Sequence, residues 1–438
     1  MLFRRQSRVL QRIGPDHPLA GKTVYIPPMA YGSARAFCAA FEAIGVHAEL
    51  TPPSDERTCE LGARYTSGEE CYPAKVTIGD FMKVVESPGF DPERVAFFMP
   101  TAEGPCRFGQ YTPYLRKVLR DNGWDRVQIL SPTSANGYAD IGAVAGVFVR
   151  TGWRALVAGD ILHKLLLKTR PYETRSGETD RVYEECLDDI CHTLGTADTE
   201  PGAQLQALKA ALIRVRERFR AIPAAYNPET PLIGVVGEIF CRLNTFSNDD
   251  MVRKIEAYGG EAWMSDIAEW IFYTNSEHAR HLRLVGRRFS LTMLGTKIRG
   301  WVQKRDEHTL YAPFHEDFRG YEEPEDVSIV LRYGEPYLPN WGVMGEMVLN
   351  TGKAIYLARK GVDGIVDISP FTCMNGIVSE AVYPRISRDN AGIPIRNFYF
   401  DGTQSDLDRD IGIYLELARA YQRTKPFQRI FPACFRKN

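Results

Sequence analysis

Short apolar runs alternate with segments of helical periodicity over the first 140 residues of the chain. The runs rich in β-branched and aromatic side chains, which predict strands, lie at residues 22–27, 94–99 and 126–130. Between the first two runs, Phe37, Phe41 and Ile44 recur at the spacing of one helix face. Thr112 followed by Pro113 predicts an N-cap and the first position of a further helix. Strand, helix and strand in this order favour a parallel sheet with crossover helices.

The pattern changes to helix from residue 153 to about residue 221. Leucines at helical spacing form two apolar stripes there, Leu162, Leu165 and Leu166 in one and Leu205, Leu208, Leu212 and Val215 in the other. A Pro-rich break at residues 222–231 predicts a linker between lobes. Alternation then resumes. The predicted strands lie at residues 232–236, 364–368 and 395–400, and the predicted helices at residues 248–260, within 267–300 and from Met374 onward.

These patterns predict an α/β protein with two parallel-sheet lobes, Rossmann- or flavodoxin-like, joined by helical segments. The predicted boundaries are residues 1–140 for the first lobe, 141–230 for the helical segment and linker, and 231–438 for the second lobe with a helical insertion. Ligands of such folds bind beyond the carboxyl ends of the strands. We therefore expect the functional site in the crevice between the lobes.

Composition and charge narrow the classes of function. The 54 Lys and Arg residues nearly balance 55 Asp and Glu residues, for a net charge of −1, so a general affinity for nucleic acid or anionic membrane is not expected. The basic N-terminus lacks the apolar core of a signal peptide. The longest apolar run, residues 141–149, is far shorter than a bilayer span. The odd number of cysteines, nine, does not suggest a disulfide framework, and we expect a cytoplasmic protein with reduced thiols.

Three cysteines occupy the same predicted position, between a strand or loop and the start of a helix. Cys71 precedes Pro73, which is placed to open a helix. Cys106 lies in a Gly- and Pro-containing loop beyond the strand at residues 94–99, and Cys373 lies just beyond the strand at residues 364–368. The free N–H groups of a helix start favour anions, and thiolate-bound iron–sulfur clusters are anionic. Three thiolates with one iron left open are typical of a redox cluster that binds substrate.

The alternative interpretation of each cysteine is structural, because a buried cysteine commonly acts as a small hydrophobe. No C-x₂-C pair is present, so neither a zinc ribbon nor a ferredoxin-type site has support from spacing. Cys241 also follows a predicted strand and is a fourth candidate ligand. The remaining cysteines lack this position; they are Cys38, Cys59, Cys186, Cys191 and Cys434. His278 and His281 could share a metal on one helix, although a solvated helix face accounts for them as well.

Several nucleotide and hydrolase motifs are missing from the sequence. It contains neither the phosphate-binding G-x-x-x-x-G-K-[ST] loop nor the dinucleotide-binding G-x-G-x-x-G loop. It also lacks the G-x-S-x-G nucleophile elbow. ATP hydrolysis and dinucleotide binding by a standard loop are therefore unsupported.

The motifs at residues 70–75 (ECYPAK), 104–111 (GPCRFGQY) and 370–374 (PFTCM) resemble those of the acyl-CoA dehydratase activase-related proteins. That group is similar in turn to the 2-hydroxyacyl-CoA dehydratase subunits and the double-cubane-cluster reductases. The likeness runs from about residue 22 to residue 420 and includes the GEI at residues 237–239 and the DG at residues 401–402. It implies a cluster held by Cys71, Cys106 and Cys373, [4Fe-4S] in the simplest case and double-cubane in the other. It also implies a partner, an ATPase activase with its own iron–sulfur cluster, expected as a separate protein because no such module precedes residue 22.

The leading hypothesis is an oxygen-sensitive cluster protein, the electron-accepting component of an ATP-driven low-potential reductase or 2-hydroxyacyl-CoA dehydratase-like system. Its substrate, an acyl-CoA or another small molecule, is not identified by the sequence. Arg107 and Lys75 could offset cluster charge, and Glu69 and Glu70 could transfer protons, or all four could be solvated charges. A homodimer would suit a two-fold activase.

Two alternative functions remain open. One is a non-catalytic scaffold that binds an activase and passes a cluster or an electron onward. The other is a metal-free thiol enzyme, in which the Gly-Pro loop and Arg107 lower the pKa of Cys106.

Overall fold

Two four-stranded parallel sheets form the framework of the chain. The computed structural model describes residues 12–102, 104–132, 139–196, 200–339, 345–403 and 406–436. The first sheet contains β1 (Thr23–Ile26), β2 (His47–Leu50), β3 (Val95–Phe98) and β4 (Gln128–Leu130). The second contains β5 (Leu232–Gly237), β6 (Glu261–Met264), β7 (Gly364–Pro370) and β8 (Ile395–Phe400). The predicted pair of parallel-sheet lobes is thus confirmed.

The two sheets have the same topology. The strand order is β2-β1-β3-β4 in the first and β6-β5-β7-β8 in the second, and every pairing between neighbours is parallel. Each sheet therefore reverses its winding between its two central strands, β1 and β3 or β5 and β7. In doubly wound sheets this reversal leaves a space at the carboxyl ends of the central strands, where ligands bind. β3 and β7 occupy equivalent places in the two sheets.

Helices pack around both sheets and also form the segment of the chain that connects them. In the first lobe they are α1 (Tyr31–Ala43), α2 (Glu56–Tyr65), α3 (Tyr72–Val85) and α4 (Tyr111–Asp121). Between the sheets lie α5 (Ala145–Thr169), α6 (Glu178–Gly195) and α7 (Pro201–Arg220). The second lobe contains α8 (Ile239–Leu243), α9 (Met251–Ala257), α10 (Ile267–Leu284), α11 (Leu291–Tyr311), α12 (Val327–Gly334), α13 (Glu346–Lys360), α14 (Met374–Asp389) and α15 (Leu407–Gln422).

Three of the four central strands, β3, β5 and β7, are buried on both faces. All residues of β3, β5 and β7 are buried, including the carboxylate of Asp367 in β7, which accepts hydrogen bonds from Ser369 and Tyr383 at 2.6 Å each. Continuous apolar strands of this kind are typical of parallel sheets covered by helices on both sides. The apolar runs that predicted these strands therefore carry the packing of both lobes.

The long helix α5 crosses the middle of the molecule and packs against α1, α6, β6, α10 and α11. Among the described residues, the stretch Ile141–Tyr172 is long and apolar enough by composition to cross a membrane. More than half of its most apolar window is buried within the protein. A central helix covered by its own chain explains this composition.

Buried ion pairs connect α5 to the second lobe. The Lys164 ammonium contacts Asp266 at 3.2 Å and Glu323 at 2.6 Å. Lys353 of α13 pairs with Glu269 at 2.5 Å and also with Glu323. Both lysines are almost fully buried, so the carboxylates must supply the solvation that water would otherwise give.

The structure corrects one predicted helix start. Helix α4 begins at Tyr111 rather than after an N-cap at Thr112. The Thr112 hydroxyl instead donates to the carbonyl of Met99 at 3.2 Å and lies 2.9 Å from the Ser131 hydroxyl. A polar side chain that satisfies groups at the end of a strand cannot also cap its own helix, and local sequence does not distinguish the two roles.

Candidate functional site

Each of the three predicted cysteines stands at the start of a helix. Cys71 is the N-cap of α3, and Cys373 is the N-cap of α14. Cys106 is the N-cap of a short 3₁₀ turn, Arg107–Gln110, that leads into α4. Because Cys106 follows β3 and Cys373 follows β7, these two cysteines occupy equivalent positions in the two lobes.

Arg107 connects the loops that carry the three cysteines. Its guanidinium donates to the carbonyl of Glu69 at 2.9 Å, two residues before Cys71. It also donates to the carbonyl of Thr372 at 2.7 Å, directly before Cys373 and 265 residues away in the chain. Since Arg107 itself follows Cys106, one side chain fixes the Cys71 and Cys373 loops against the third.

The backbone is constrained where Arg107 reaches the second lobe. Thr372 has a φ of +61°, in the left-handed region that β-branched residues rarely adopt. Such a conformation persists where surrounding contacts fix it, and it is concentrated at functional sites. The hydrogen bond from Arg107 is one of those contacts.

Glu238 is the common neighbour of the three cysteines. It directly follows β5 and caps α8, its carboxylate accepting from the N–H groups of Phe240 at 3.1 Å and Cys241 at 2.7 Å. Burial raises the thiol pKa of Cys71, Cys106 and Cys373, and the charge of Glu238 raises each of them further. The charge of one half-buried carboxyl group at the end of β5 thus acts on three cysteines from three separate loops.

Backbone N–H groups act on the same sulfurs in the opposite direction. The N–H of Ala74 lowers the pKa of Cys71, that of Phe108 lowers the pKa of Cys106, and those of Asn375 and Gly376 lower the pKa of Cys373. All four N–H groups belong to the first turn that follows each cysteine. They are the groups that a helix start offers to an anion, which matches the expectation from the sequence.

Burial changes the thiol pKa of these cysteines more than the N–H groups do. It raises the pKa of Cys106 and of Cys373 to about 12. The net pKa shift of Cys106 is thus upward although the N–H of Phe108 in its loop lowers it, and the charge of Arg107 acts on Cys71. The Tyr111 hydroxyl lies 2.6 Å from the sulfur of Cys71 and likewise lowers its pKa.

A second carboxyl group accompanies Glu238. Glu346 stands in the first turn of α13, and burial together with the charge of Glu238 raises its pKa well above the usual range. Burial also raises the pKa of Glu238 itself. Both carboxyl groups add to the thiol pKa of Cys106 and of Cys373. The cysteines therefore share their surroundings with two carboxyl groups whose pKa values are both raised, chiefly by burial.

Aromatic contacts hold the start of α3 against the second lobe. Tyr72, which follows Cys71, packs in one apolar cluster with Val76, Phe240 and Phe400. A Cβ placed on Gly402 would come within 3.0 Å of the Tyr72 ring, so a larger residue there would push the ring away. The glycine at position 402 thus allows the close approach of the two lobes at this point.

Cys241 differs from the other three candidates. Its side chain is fully buried in the apolar cluster around β5 and β7, and its sulfur points to the carbonyl of Ser247 at 3.8 Å. The charges of Glu238, Cys373 and Cys71 all raise the pKa of Cys241. Cys241 is therefore a neighbour of the site cysteines. Its contacts account for it as a core residue.

The remaining predicted polar residues divide between loop structure and surface. Glu70 accepts from the N–H groups of Ser67 at 2.9 Å and Gly68 at 3.1 Å, and so shapes the loop before Cys71. The charge of Lys75 acts on Cys59 rather than on the three site cysteines. Glu69 is exposed and contributes its carbonyl to Arg107. None of these contacts involves a sulfur of the site.

His278 and His281 lie on α10, as the spacing predicted. Across the described ranges of residues 12–436, no three His, Cys, Asp or Glu side chains are arranged to hold a single metal ion. The residues that sequence reasoning did not assign are Glu238, Glu346 and Tyr111. The position of Glu238 directly after a central strand is the one local signal that could have identified it.

Comparison with known proteins adds no identification. No protein-family model matches the sequence, and no curated protein matches it. The resemblance to the activase-related proteins therefore stays a prediction that rests on the three cysteine motifs.

Proposed function

We propose that the chain is an iron–sulfur protein that accepts single electrons, with a cluster bound by Cys71, Cys106 and Cys373 in the space between the lobes. One observation carries the proposal: the three cysteines each stand at a helix start, and Arg107 ties their loops together. Structural cysteines have no need of such a shared arrangement. We place the protein in an ATP-driven reductase or dehydratase-like system, in line with the resemblance of its motifs.

The donor set is compatible with this cofactor. Iron–sulfur clusters take thiolate ligands, and a cluster with three of them leaves one iron open to a further ligand. A cluster separates its thiolates more widely than a single ion does, so the arrangement of cysteines need not resemble a mononuclear site. Binding of metal deprotonates a thiol outright, which removes the obstacle of the raised pKa.

Residues around the cysteines have roles that follow from their positions. Arg107 holds the three loops in register, and the Tyr111 hydroxyl donates to the sulfur of Cys71. The first-turn N–H groups face the sulfurs, and hydrogen bonds to sulfur raise the reduction potential of a cluster. Glu238 and Glu346 add two carboxyl groups to the surroundings of the cysteines, and burial raises the pKa of both.

An electron donor needs access to the site. Beside Cys373, the apolar side chains of Phe371, Met374 and Ile377 are exposed, with about half of the Phe371 and Ile377 side chains in contact with solvent. Exposed apolar groups next to a redox centre favour a protein partner. We assign this face to the separate activase that the resemblance implies.

The test is anaerobic reconstitution of the full chain with iron and sulfide, followed by absorption and EPR spectra after reduction with dithionite. Cys71→Ser, Cys106→Ser and Cys373→Ser are each expected to lose or alter the reduced EPR signal. Cys186→Ser, at a buried cysteine of α6, is the control and should keep it. Wild-type-like signals from all three site variants would overturn the ligand assignment.

The raised pKa of Cys106, about 12 because of burial, favours the cluster proposal over the thiol-enzyme alternative, since a catalytic thiolate requires a lowered pKa. The scaffold alternative shares the same cluster site. Turnover of a small substrate in the presence of an activase and ATP would distinguish a catalytic protein from a scaffold.

A further inference from the structure

A hairpin of two helices exposes a row of apolar side chains far from any core. α10 and α11 form this hairpin, and residues 281–302 around its turn are mostly exposed. On α11 the side chains of Leu291, Leu294, Ile298 and Trp301 are exposed by 87%, 54%, 54% and 63%. We call these four residues the outer stripe. Large apolar groups exposed together mark an interaction surface.

The spacing of the outer stripe is that of a helix–helix seam. Its residues follow one another at intervals of three, four and three, the a and d positions of a heptad. At about 100° per residue they occupy an arc of about 80° and span about 15 Å of helix. The buried residues Gln303, Asp306 and Leu310 lie on a different side of α11. The helix therefore packs on the protein with one face and presents a narrow second seam outward.

The surroundings of the outer stripe are strongly basic. Residues 278–305 contain eight Lys and Arg residues and no Asp or Glu. Lys297 and Lys304 stand at the g positions that flank the stripe, and the Lys304 ammonium also lies 4.0 Å from the carboxylate of Asp326. The Arg305 guanidinium lies over the Trp301 ring at 5.2 Å, which extends the positive charge onto the seam itself.

We propose that the outer stripe binds an amphipathic helix of a partner protein whose flanking positions are acidic. Charge complementarity selects this occupant, because acidic e and g residues would face Lys297 and Lys304 across the seam. A second copy of the chain would bring two basic hairpins together, and like charges at an interface oppose binding. Leu284, Val285 and Phe289 near the turn of the hairpin are exposed as well, so an anionic membrane is the competing occupant, which the vesicle measurement below distinguishes. This docking is independent of the cluster and goes beyond the function proposed above.

The test uses two synthetic peptides of three heptads with Leu at a and d, one with Glu and one with Lys at e and g. Each is labelled and titrated with the full-length protein at low salt, and binding is followed by fluorescence anisotropy. The acidic peptide is expected to bind at least about tenfold more tightly than the basic one, and sodium chloride is expected to weaken its binding. The double variant K297E/K304E should reverse the preference.

Two further variants separate the seam from general stickiness. Trp301→Ala is expected to weaken binding of the acidic peptide about tenfold or more, because large aromatic side chains carry much of the affinity of an interface. Leu417→Ala, at a similarly exposed leucine of α15, is the control and should leave binding unchanged. Helix content measured by circular dichroism verifies that each variant is folded.

Four results would overturn the proposal. They are equal binding of the two peptides, binding of neither, a doubling of mass in light scattering that Trp301→Ala abolishes, and sedimentation with phosphatidylserine vesicles that Trp301→Ala abolishes. The third would identify a second copy of the chain as the occupant, and the fourth an anionic membrane.

Discussion

At the scale of single residues, Arg107 is the group that connects the three loops carrying the cysteines. Its guanidinium bridges the carbonyls of Glu69 and Thr372, which belong to different lobes. Arginine suits this role because its planar fork presents several donors in fixed directions. The side chain is exposed, so its contribution lies in the geometry of the loops rather than in the stability of the fold.

Replacing Arg107 therefore tests the site without disturbing the core. In Arg107→Ala the three loops lose their common anchor, and we expect the reconstituted protein to lose iron to a chelator about tenfold faster. The rate is followed by the absorbance of the ferrous chelate. Arg116→Ala, at an exposed arginine of α4, is the control and should match the wild type. Equal rates in all three proteins would contradict the anchoring role.

The buried carboxyl group of Asp80 is expected to make the stability of the protein depend on pH. This carboxyl group of α3 accepts hydrogen bonds from Ser54 and Thr58 at 2.9 Å each, and burial raises its pKa from 3.8 to about 7. The folded state therefore holds the proton more tightly than the unfolded state. The stabilising contribution is complete below about pH 4 and is lost as the pH rises to about 7.

Asp80→Asn removes this titration. The free energy of unfolding of the variant relative to wild type is expected to rise by about 1–3 kcal/mol between pH 4 and pH 8. Urea denaturation at the two pH values measures the difference. Asp125→Asn, at an exposed aspartate, is the control for loss of a surface carboxylate. A constant difference for Asp80→Asn would show that folding leaves the pKa of this carboxyl group unchanged.

At the scale of elements, the pair α2 and α3 positions Cys71. The two helices approach so closely that a Cβ on Gly79 would lie 2.0 Å from the Thr58 carbonyl oxygen, and one on Gly62 would lie 2.2 Å from that of Lys75. Backbone atoms cannot yield as a flexible side chain can. Both glycines are therefore required by the contact between the helices, and α3 in turn begins at Cys71.

Gly79→Ala should separate the two helices. We expect it to lower the free energy of unfolding by about 1–3 kcal/mol, the usual cost of overpacking. Gly146→Ala is the matched control, because it also adds a methyl group to a helix but has nothing within 4 Å of the new Cβ. That substitution should be neutral or stabilising by up to about 1 kcal/mol. Thermal or urea unfolding of both variants distinguishes the outcomes, and equal stability would contradict the close packing.

Pattern alone predicted the central strands but not every element. The run at residues 94–99 contains β3, because buried parallel strands leave a continuous apolar signal, and the run at residues 395–400 coincides with the edge strand β8, which is rich in aromatic side chains. The short edge strand β2 was not predicted. It includes His47 and Glu49, which are exposed and form an ion pair with each other, so its apolar signal is too weak. The strand β6 was not predicted either, although all four of its residues are buried, because a run of four residues is too short to show a period.

At the scale of the whole molecule, buried ion pairs hold the second lobe on α5. Lys353 is buried against Glu269 and Glu323, and Glu323 also meets Lys164 of α5. Lys353→Met would leave two carboxylates without one of their partners in a region from which water is excluded. We expect the free energy of unfolding to fall by about 3–5 kcal/mol.

A surface ion pair provides the control for this prediction. Lys117 pairs with Asp121 on the exposed face of α4, with most of its side chain in solvent. Lys117→Met should change the free energy of unfolding by less than about 1 kcal/mol. If Lys353→Met were equally mild in denaturant titrations, the buried network would not tie the lobe to α5.

The site itself could be predicted only in part. Gly and Pro residues around Cys71, Cys106 and Cys373 indicate helix starts, and the structure has each of them as an N-cap. The contact from Arg107 to Thr372 joins residues 265 positions apart, and the pairing of Glu238 with Glu346 depends on the packing of α8 and α13. Such contacts cannot be predicted from local sequence, because they depend on how the two lobes are arranged.

The central claim is that Cys71, Cys106 and Cys373 bind one iron–sulfur cluster. The most direct test is the iron and acid-labile sulfide content of the protein purified without oxygen, compared with that of the triple variant C71S/C106S/C373S. The account predicts roughly four irons and four sulfides per wild-type chain, as for a cubane cluster, and almost none in the variant. Wild-type protein that binds no iron, even after reconstitution, would contradict the account.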